Sequence, residues 1–285
     1  MIYYILLLCM PLVNCCQSVA QKQYNLKNEK PNVILFSAVT SLIALCFFLI
    51  TSRFDLSFDI RLLPYSLGFA VAYSAAWIGT VLAVRYGLMA ISTLIVSCSL
   101  IFPVGYGILL GEAVTPKIVT GMILLFCAIV LVNLKFDKRE RGKFSAKWLL
   151  CVLVAFLGNG VCSVMSNMQK RLLGDSFTHE FMIIALAAAF LLLTVYAFMT
   201  SRDFKGDFKK CLPYSTMNGM ANAAVNLIML TLIGNIPNTV LYPSSSALNM
   251  IFAFLLGYIA YKERFSVLQY IGYATGVVSI VLLNI

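Results

Sequence analysis

Amide side chains recur in the middle of long apolar stretches of this sequence, where few other groups can form strong hydrogen bonds. Asn218, Asn222 and Asn226 are spaced four residues apart, so all three share one face of a helix. Asn14 and Asn159 lie within two other apolar stretches. An amide both donates and accepts hydrogen bonds, which suits amino, hydroxyl or carboxyl groups of a solute. The pattern predicts either a polar cavity lined by amides or hydrogen bonds that hold helices together.

Further candidates for solute binding lie at a similar depth. The rise of 1.5 Å per residue in a helix puts Asn14 and Asn159 about 18 Å from the start of their stretches, near the middle of a hydrocarbon layer about 30 Å thick. Lipid cannot satisfy a polar group at that depth. The predicted substrate-binding residues are Asn14, Ser18, Tyr73, Trp77, Ser99, Asn159, Ser163, Asn222, Asn226, Tyr242, Ser245 and Asn249.

Aromatic residues and prolines inside the apolar stretches support two further hypotheses. Tyr73 and Trp77 could stack on a solute or surround a quaternary ammonium group, although aromatic residues in membrane helices more often serve packing or anchoring. Pro11, Pro103 and Pro243 each free the carbonyl four residues earlier. Such prolines are hinge candidates in a moving carrier, or they produce static kinks.

Charged groups and catalytic motifs are missing from the apolar stretches. No Asp, Glu, Lys or Arg lies near the centre of any stretch, so a bare cation would have no counter-ion, and the sequence favours neutral, zwitterionic or weakly charged solutes. His179 is the one histidine, and no C-x-x-C pair occurs among the nine cysteines. The sequence also lacks G-x-S-x-G and H-E-x-x-H. We therefore expect no enzyme, no metal site and no cofactor.

The composition excludes a soluble protein. Hydrophobic residues make up 61% of the 285 residues and charged residues 11%, with a mean hydropathy of +0.92, against about 45–50% and about 25% in soluble domains. The net charge of +10 comes from basic residues in short gaps between apolar stretches, which does not indicate a nucleic-acid partner. The expected partners are a small-molecule substrate and membrane lipid, with a homodimer left open.

The apolar stretches are long enough to cross a bilayer as helices, which need about 20 residues each. Splitting them at charges and turn signals predicts an all-α membrane protein with ten transmembrane helices. Pro64, Pro116 and Pro213 are expected in the first turns of three of them, where proline is favoured. The predicted segments are 2–20, 32–51, 62–84, 88–110, 117–134, 148–169, 181–200, 212–234, 238–260 and 266–284.

An internal duplication divides these segments into two groups of five. Residues 63–66 and 212–215 are both Leu-Pro-Tyr-Ser, and Gly121 corresponds to Gly272 at nearly the same offset. The predicted domains are residues 1–135, a basic linker over 136–147, and residues 148–285. Because five is odd, the two halves enter the membrane from opposite sides. They therefore form inverted repeats, a plan in which the binding site lies near the midplane.

Two hairpin turns carry the most specific sequence features of the repeat. Glu112 and Glu263 are each followed three residues later by a hydroxyl residue, Thr115 or Ser266, that suits a helix N-cap. We predict a structural role for both glutamates, because a negative charge favours a helix N-terminus. An outer proton relay is the alternative. Segments Gly111 to Gly121 and Lys262 to Gly272 resemble the ten-helix EamA-like branch of the drug/metabolite transporter superfamily, and the likeness extends over nearly the whole chain.

The resemblance implies a polytopic carrier of small solutes or drugs that works by alternating access. We expect a secondary transporter for a small polar metabolite in the cell membrane. The alternatives are a multidrug or quaternary-ammonium exporter and, further off, a lipid-handling membrane protein. The loops after odd-numbered segments hold 16 of the 21 Lys and Arg residues, so the positive-inside rule puts both termini outside. The better-known ten-helix relatives are thought to have both termini inside, and this choice stays open.

Overall fold

Helices account for nearly all of the regular structure in the computed structural model, which describes residues 2–28, 31–86, 89–133, 145–174, 176–201, 203–262 and 265–284. The all-α architecture is therefore confirmed. Two short 3-10 turns, Ile60–Leu62 and Cys98–Leu100, accompany the α-helices. The α-helices are α1 (Ile2–Lys27), α2 (Val33–Thr51), α3 (Leu63–Tyr86), α4 (Met89–Ser97), α5 (Ile101–Leu109), α6 (Pro116–Asn133), α7 (Ala146–Leu173), α8 (Thr178–Thr200), α9 (Phe204–Leu232), α10 (Asn238–Tyr261) and α11 (Val267–Asn284).

The fourth predicted segment is a broken helix rather than a continuous one. The 3-10 turn Cys98–Leu100 joins α4 to α5, and Pro103 follows within the first turn of α5. Proline cannot donate a backbone hydrogen bond to the carbonyl of Ser99, and a 3-10 turn is a common way for the backbone to adjust beside such a gap. Ser97 and Ser99 lie at this break and line a cavity described below.

The start of α9 differs from the prediction. This helix begins at Phe204, so Pro213 lies inside it and not in its first turn, and the expectation for Pro213 was wrong. The side chain of Asp203 accepts a hydrogen bond from the backbone N–H of Gly206 at 3.0 Å and caps the helix there. This cap and the acidic Asp207 in the first turn favour a helix start before the apolar stretch. Pro64 and Pro116 do lie in the first turns of α3 and α6.

Eight helices among the described residues are long and apolar enough to cross a membrane, which indicates a multi-pass membrane protein. They include the broken stretch Ile91–Leu109 as one crossing. The apolar part of α6 is shorter than the others, and the sequence of α9 is rich in asparagine, serine and threonine. Both helices nevertheless pack along their neighbours in the bundle, α6 against α11 and α9 against α1 and α2.

Close helix packing depends on small residues. The helix pairs with the most extensive contacts are α3 with α7, α6 with α11, α1 with α9, and α2 with α8 and α9. A Cβ added to Gly158 on α7 would lie 2.6 Å from the carbonyl oxygen of Ala72 on α3, and one added to Gly219 on α9 would lie 2.8 Å from that of Thr40 on α2. Backbones that approach so closely are typical of membrane helices, which have no hydrophobic effect to drive their association.

The start of α1 and the end of α11 lie on one side of the bundle, here called the terminal face. Tyr4 and Asn284 line the same surface cavity there. The carboxylate of Glu180, at the start of α8, accepts hydrogen bonds from the backbone N–H and the hydroxyl of Ser57 in the α2–α3 loop, at 3.1 and 3.3 Å. Residues from distant parts of the chain therefore tie the loops of this face together.

The other side of the bundle, here called the opposite face, holds the loops that follow α1, α8 and α10. Asn32 donates a side-chain hydrogen bond to Asp207 at 3.1 Å. Lys22 lies with its Nζ 3.4 Å from the centre of the Tyr261 ring. Residues 136–144, most of the basic linker predicted over 136–147, lie outside the described residues. The charge count predicts that the opposite face is cytoplasmic.

Candidate solute-binding site

One face of α7 carries polar residues through the middle of the bundle. Asn159, Ser163 and Asn167 are spaced four residues apart and therefore lie one above another along the helix. Cavities open on both sides of this polar face, and Asn159 and Ser163 line both of them. The arrangement brings together residues from most of the helices.

The larger cavity, here called the serine chamber, has a volume of about 490 Å³ and lies between α7, the broken α4–α5 helix, α6, α10 and α11. This volume is within the range of about 300–1,000 Å³ that is usual for small-molecule sites. It extends toward the opposite face, because it reaches Val132 near the end of α6 and Ala253 in the second half of α10. Its polar lining is Ser97, Ser99, Asn159, Ser163, Tyr242, Ser245, Ser246, Asn249 and Tyr273.

The smaller cavity, here called the amide chamber, has a volume of about 260 Å³ and lies between α1, α3, α7 and α9. It extends toward the terminal face, because it reaches Leu230 near the end of α9 and Ile233 just beyond it. Phe69, Cys162 and Met229 contribute apolar surface. Its polar lining is Asn14, Gln17, Tyr73, Asn159, Ser163, Ser166, Asn222, Asn226 and Tyr242.

Amide side chains that line the amide chamber form hydrogen bonds with other amides, one of which, Asn249, lines the serine chamber. The side-chain nitrogen of Asn14 donates to the side-chain oxygen of Asn249 at 2.8 Å, which joins α1 to α10, and Gln17 donates to the side-chain oxygen of Asn14 at 3.0 Å. On α9, Asn226 donates to both the backbone carbonyl and the side-chain oxygen of Asn222, at 2.8 and 3.0 Å. The first set links two helices, whereas the second stays within one helix.

Tyr242 on α10 lies in the wall that the two chambers share. Its hydroxyl accepts a hydrogen bond from the side-chain nitrogen of Asn167 at 2.6 Å and donates to the backbone carbonyl of Ser163 at 3.5 Å. Its side chain is buried. The tyrosine thus holds α10 against α7 in the wall between the two chambers.

A third cavity of about 600 Å³ opens at the terminal face and reaches Asn167 from outside. Lys170 and Arg171, at the end of α7, lie on its rim together with the α9–α10 turn around Gly234. Ile233 lines both this cavity and the amide chamber. The three cavities therefore follow one another from the terminal face toward the opposite face, separated by side chains.

Glu112 closes one edge of the third cavity by capping α10. Its two carboxylate oxygens accept hydrogen bonds from the backbone N–H groups of Asn238 and Thr239, at 2.9 and 2.8 Å. These are the first residues of α10, where unpaired N–H groups and the helix dipole attract an anion. The structure thus supports a structural role, although on α10 and not on the helix that follows Glu112. Thr115 caps that helix, its hydroxyl accepting from the backbone N–H of Ile118 at 3.3 Å.

Most residues predicted for substrate binding line one or both chambers, but two do not. Ser18 is exposed on α1 and donates to the backbone carbonyl of Asn14 at 3.2 Å. Trp77 packs edge-on against Tyr73, with ring centres 6.4 Å apart, outside both chambers. Asn218 is 1% exposed and also lines neither chamber. Each of these residues lies four positions from a lining residue of its helix, one turn nearer the opposite face, beyond the end of the amide chamber.

The predicted hinge prolines and turn glutamates differ in their surroundings. Pro103 lies beside the 3-10 break, Pro243 directly follows Tyr242, and Pro11 is buried inside α1 one turn before Asn14. Two of the three are therefore adjacent to residues of the chambers. Glu263 lies outside the described residues.

Several lining residues were not predicted from the sequence. Asn167 is one helical turn beyond Ser163, so the four-residue spacing on α7 could have identified it. Ser97 and Ser246 are next to predicted residues, but their rotation into the cavity depends on the break in the fourth segment and on the packing of α10. Tyr273 carries no signal that distinguishes it from other tyrosines of the chain.

Comparison with known proteins gives the fold and little more. No protein-family model matches the chain, and no curated protein matches it. Among solved structures, 29 chains match. One of them, described only as the crystal structure of a protein, aligns over 99% of this chain and 98% of its own, with a TM-score of 0.77 and 15% sequence identity. At this identity the likeness shows a shared fold alone.

Proposed function

We propose that this chain is a secondary transporter that moves a small polar metabolite across a membrane by alternating access. One observation carries the proposal: the serine chamber and the amide chamber lie on opposite sides of a shared polar wall formed by Asn159, Ser163 and Tyr242. One chamber extends toward each face of the bundle. A carrier needs such a wall, because its site must open to one side while it stays closed to the other.

Packing between helices supports two inverted five-helix repeats as the moving parts. A Cβ added to Gly121 on α6 would lie 2.8 Å from Leu283 on α11, and one added to Gly272 on α11 would lie 2.8 Å from Val132 on α6. Gly272 and Leu283 lie 151 residues after Gly121 and Val132 respectively. The two contacts therefore exchange when the halves are exchanged, as a twofold pseudo-symmetry requires. The offset is the one that separates the two hairpin motifs.

Helix pairings elsewhere in the bundle follow the same exchange. The contact of α3 with α7 corresponds to that of α9 with α1, and the contact of α2 with α9 corresponds to that of α8 with α3. These pairings favour membership of the drug/metabolite transporter superfamily, in its EamA-like branch. They also favour rocking of one half against the other, with the hinges at Pro103 and Pro243 beside the shared wall.

Two features favour a metabolite over a quaternary ammonium compound. Trp77, which would belong to an aromatic cage, lies outside both chambers. No acidic side chain is among the described residues that line either chamber, so a permanent cation would lack a counter-ion. An uncharged or zwitterionic solute does not need one.

Counterflow in proteoliposomes tests the proposal. The purified chain is reconstituted, loaded with one member of a metabolite panel, and assayed for exchange of the labelled compound. We expect exchange of at least one small polar metabolite and about a tenfold slower rate for Tyr242→Phe, which removes the hydrogen bond from Asn167. Tyr258→Phe is the matched control, because Tyr258 is on the same helix and is exposed. Equal rates for both variants, or no exchange across the panel, would refute the proposal.

A further inference from the structure

Hydroxyl groups in the helices of this protein mostly bond to their own helix. Ser37 donates to the carbonyl of Val33 at 2.9 Å, Ser41 to that of Ser37 at 3.0 Å, and Thr80 to that of Ala76 at 2.7 Å. Ser166 donates to the carbonyl of Cys162 at 3.1 Å. Serine and threonine in helices commonly form this local bond. Some buried hydroxyls of the described residues form no hydrogen bond at all but line neither chamber, namely those of Thr40, Ser66, Ser74, Thr194 and Thr239. A hydroxyl without a protein partner is therefore available to a solute only where it faces a cavity.

Four serines of the serine chamber lack that local bond. Within the described residues, the hydroxyls of Ser97, Ser99, Ser245 and Ser246 form no hydrogen bond with any protein group. All four line the cavity, and they come from two helices that face each other across it. Their donors and acceptors are therefore left for whatever fills the chamber.

Amide groups in the same chamber have unused capacity as well. The side chain of Asn159 forms no hydrogen bond to any described residue, in contrast to Asn14, Asn167 and Asn226. Asn249 uses its side-chain oxygen to accept from Asn14, which leaves its two N–H groups to face the cavity. The chamber thus offers both donors and acceptors, in several directions.

Charge is missing from this lining. No Asp, Glu, Lys, Arg or His is among the described residues around the serine chamber, and its remaining wall is formed by apolar side chains such as Leu100, Ile129 and Met250. Moving an ionised group from water into such a site without a partner of opposite charge costs much free energy. Hydroxyl groups of a solute, in contrast, can replace their bonds to water by bonds to serines and amides.

We infer that the serine chamber binds an uncharged solute that carries several hydroxyl groups, of the chemical class of sugars, polyols and nucleosides. The inference rests on the proposed transport function for its biological meaning, but it concerns binding and can be tested without transport. Ser97, Ser99, Ser245 and Ser246 supply the hydroxyls, Asn159 and Asn249 supply the amides, and the apolar wall covers the carbon skeleton.

Binding to the purified full chain in detergent tests this inference. The panel consists of matched compounds: D-glucose, gluconate and glucosamine; ribose and ribose 5-phosphate; myo-inositol; and adenosine. Thermal unfolding and calorimetry report binding, because a ligand of the folded state raises Tm. We expect at least one uncharged compound to bind and its charged analogue to bind at least tenfold more weakly. Binding restricted to charged members, or by no member, would overturn the inference.

Variants and deoxy analogues locate the contact. Ser97→Ala and Ser246→Ala are each expected to weaken binding of the uncharged ligand about fivefold, the usual loss for one neutral hydrogen bond. Ser37→Ala is the matched control, because its hydroxyl bonds within α2, and it should leave affinity unchanged. Deoxy analogues of the ligand lack the hydroxyl groups that would bond to these serines. They are tested on the unmodified protein, so the result does not depend on whether a variant folds. Full affinity for every variant and every deoxy analogue would overturn the assignment to this chamber.

The two proposals fail separately. An uncharged ligand that binds in detergent but shows no counterflow would refute transport and leave the binding inference standing. Counterflow of a charged metabolite, with no binding of uncharged compounds, would refute the binding inference and leave transport standing.

Discussion

The serine chamber and the amide chamber share a wall, yet they use their polar groups differently. In the amide chamber, Asn14 bonds to Gln17 and to Asn249 of the serine chamber, and Asn222 bonds to Asn226. In the serine chamber, the described hydroxyls of residues such as Ser97 and Ser246 have no protein partner. Polar groups that pair with the protein stabilise helix packing, whereas those that do not are available to a solute. Chemical type alone does not separate these two roles.

Asn14→Leu should produce the largest loss of stability, because it removes the only amide bond described between α1 and α10 and leaves the side-chain oxygen of Asn249 without its donor. We expect a decrease of about 1.5 kcal/mol in the free energy of unfolding, toward the upper end for interhelical bonds in membranes. Unfolding by denaturant in mixed micelles measures it. A change below about 0.3 kcal/mol in the free energy of unfolding would mean that the hydrogen bond between Asn14 and Asn249 does not stabilise the packing of α1 against α10.

Asn222→Leu should cost less, because Asn222 and Asn226 belong to one helix and Asn226 keeps its bond to the backbone carbonyl of residue 222. The expected loss is about 0.5 kcal/mol, typical of a polar contact within a membrane protein. The same unfolding assay applies, with Asn14→Leu alongside for comparison. A larger loss than that of Asn14→Leu would reverse the ranking of the two contacts.

Ser246→Ala should leave stability within about 0.5 kcal/mol of the unmodified protein, because no protein hydrogen bond is removed. Ser279→Ala is a contrasting variant, since the hydroxyl of Ser279 on α11 donates to the carbonyl of Gly121 on α6 at 2.8 Å. That variant should be destabilised by about 1 kcal/mol. If Ser246→Ala and Ser279→Ala lower the free energy of unfolding equally, hydroxyls with and without a protein partner do not differ in their contribution to stability.

Trp77→Phe should have the smallest effect on function, because Trp77 lies outside both chambers. We expect counterflow rates and ligand affinity to stay within about twofold of the unmodified protein, which corresponds to less than about 0.5 kcal/mol. Tyr242→Phe serves as the positive control in the same counterflow assay. A decrease of more than about tenfold in the counterflow rate for Trp77→Phe would instead favour recognition of a cation by aromatic side chains.

The positions of the helices were largely predictable from the sequence, because apolar length and charge set where a chain can cross a membrane. The ends of α1 and α9 were not, since both helices continue beyond the apolar stretch into charged residues. Asp203 caps α9 and sets where this helix begins. The prediction of a helix start near Pro213 did not take this cap into account.

The candidate site was predictable in its central residues but not in its extent. Counting residues put Asn14, Asn159 and Asn249 at mid-depth, and all three line the chambers. Ser18 and Trp77 lie four residues after Asn14 and Tyr73, one helical turn nearer the opposite face, and line neither chamber. Where a cavity ends along a helix depends on packing between helices that are far apart in sequence, and spacing within one helix does not contain it.

The cap of α10 by Glu112 has a consequence for how the two halves come together. The carboxylate lies 126 positions before the first N–H group that it satisfies, and both capped residues, Asn238 and Thr239, are buried. During synthesis the acceptor is therefore complete long before its helix emerges, so the second half inserts against a ready partner. Produced on its own, that half would leave the first N–H groups of α10 without this acceptor, and co-production of the missing half would restore it.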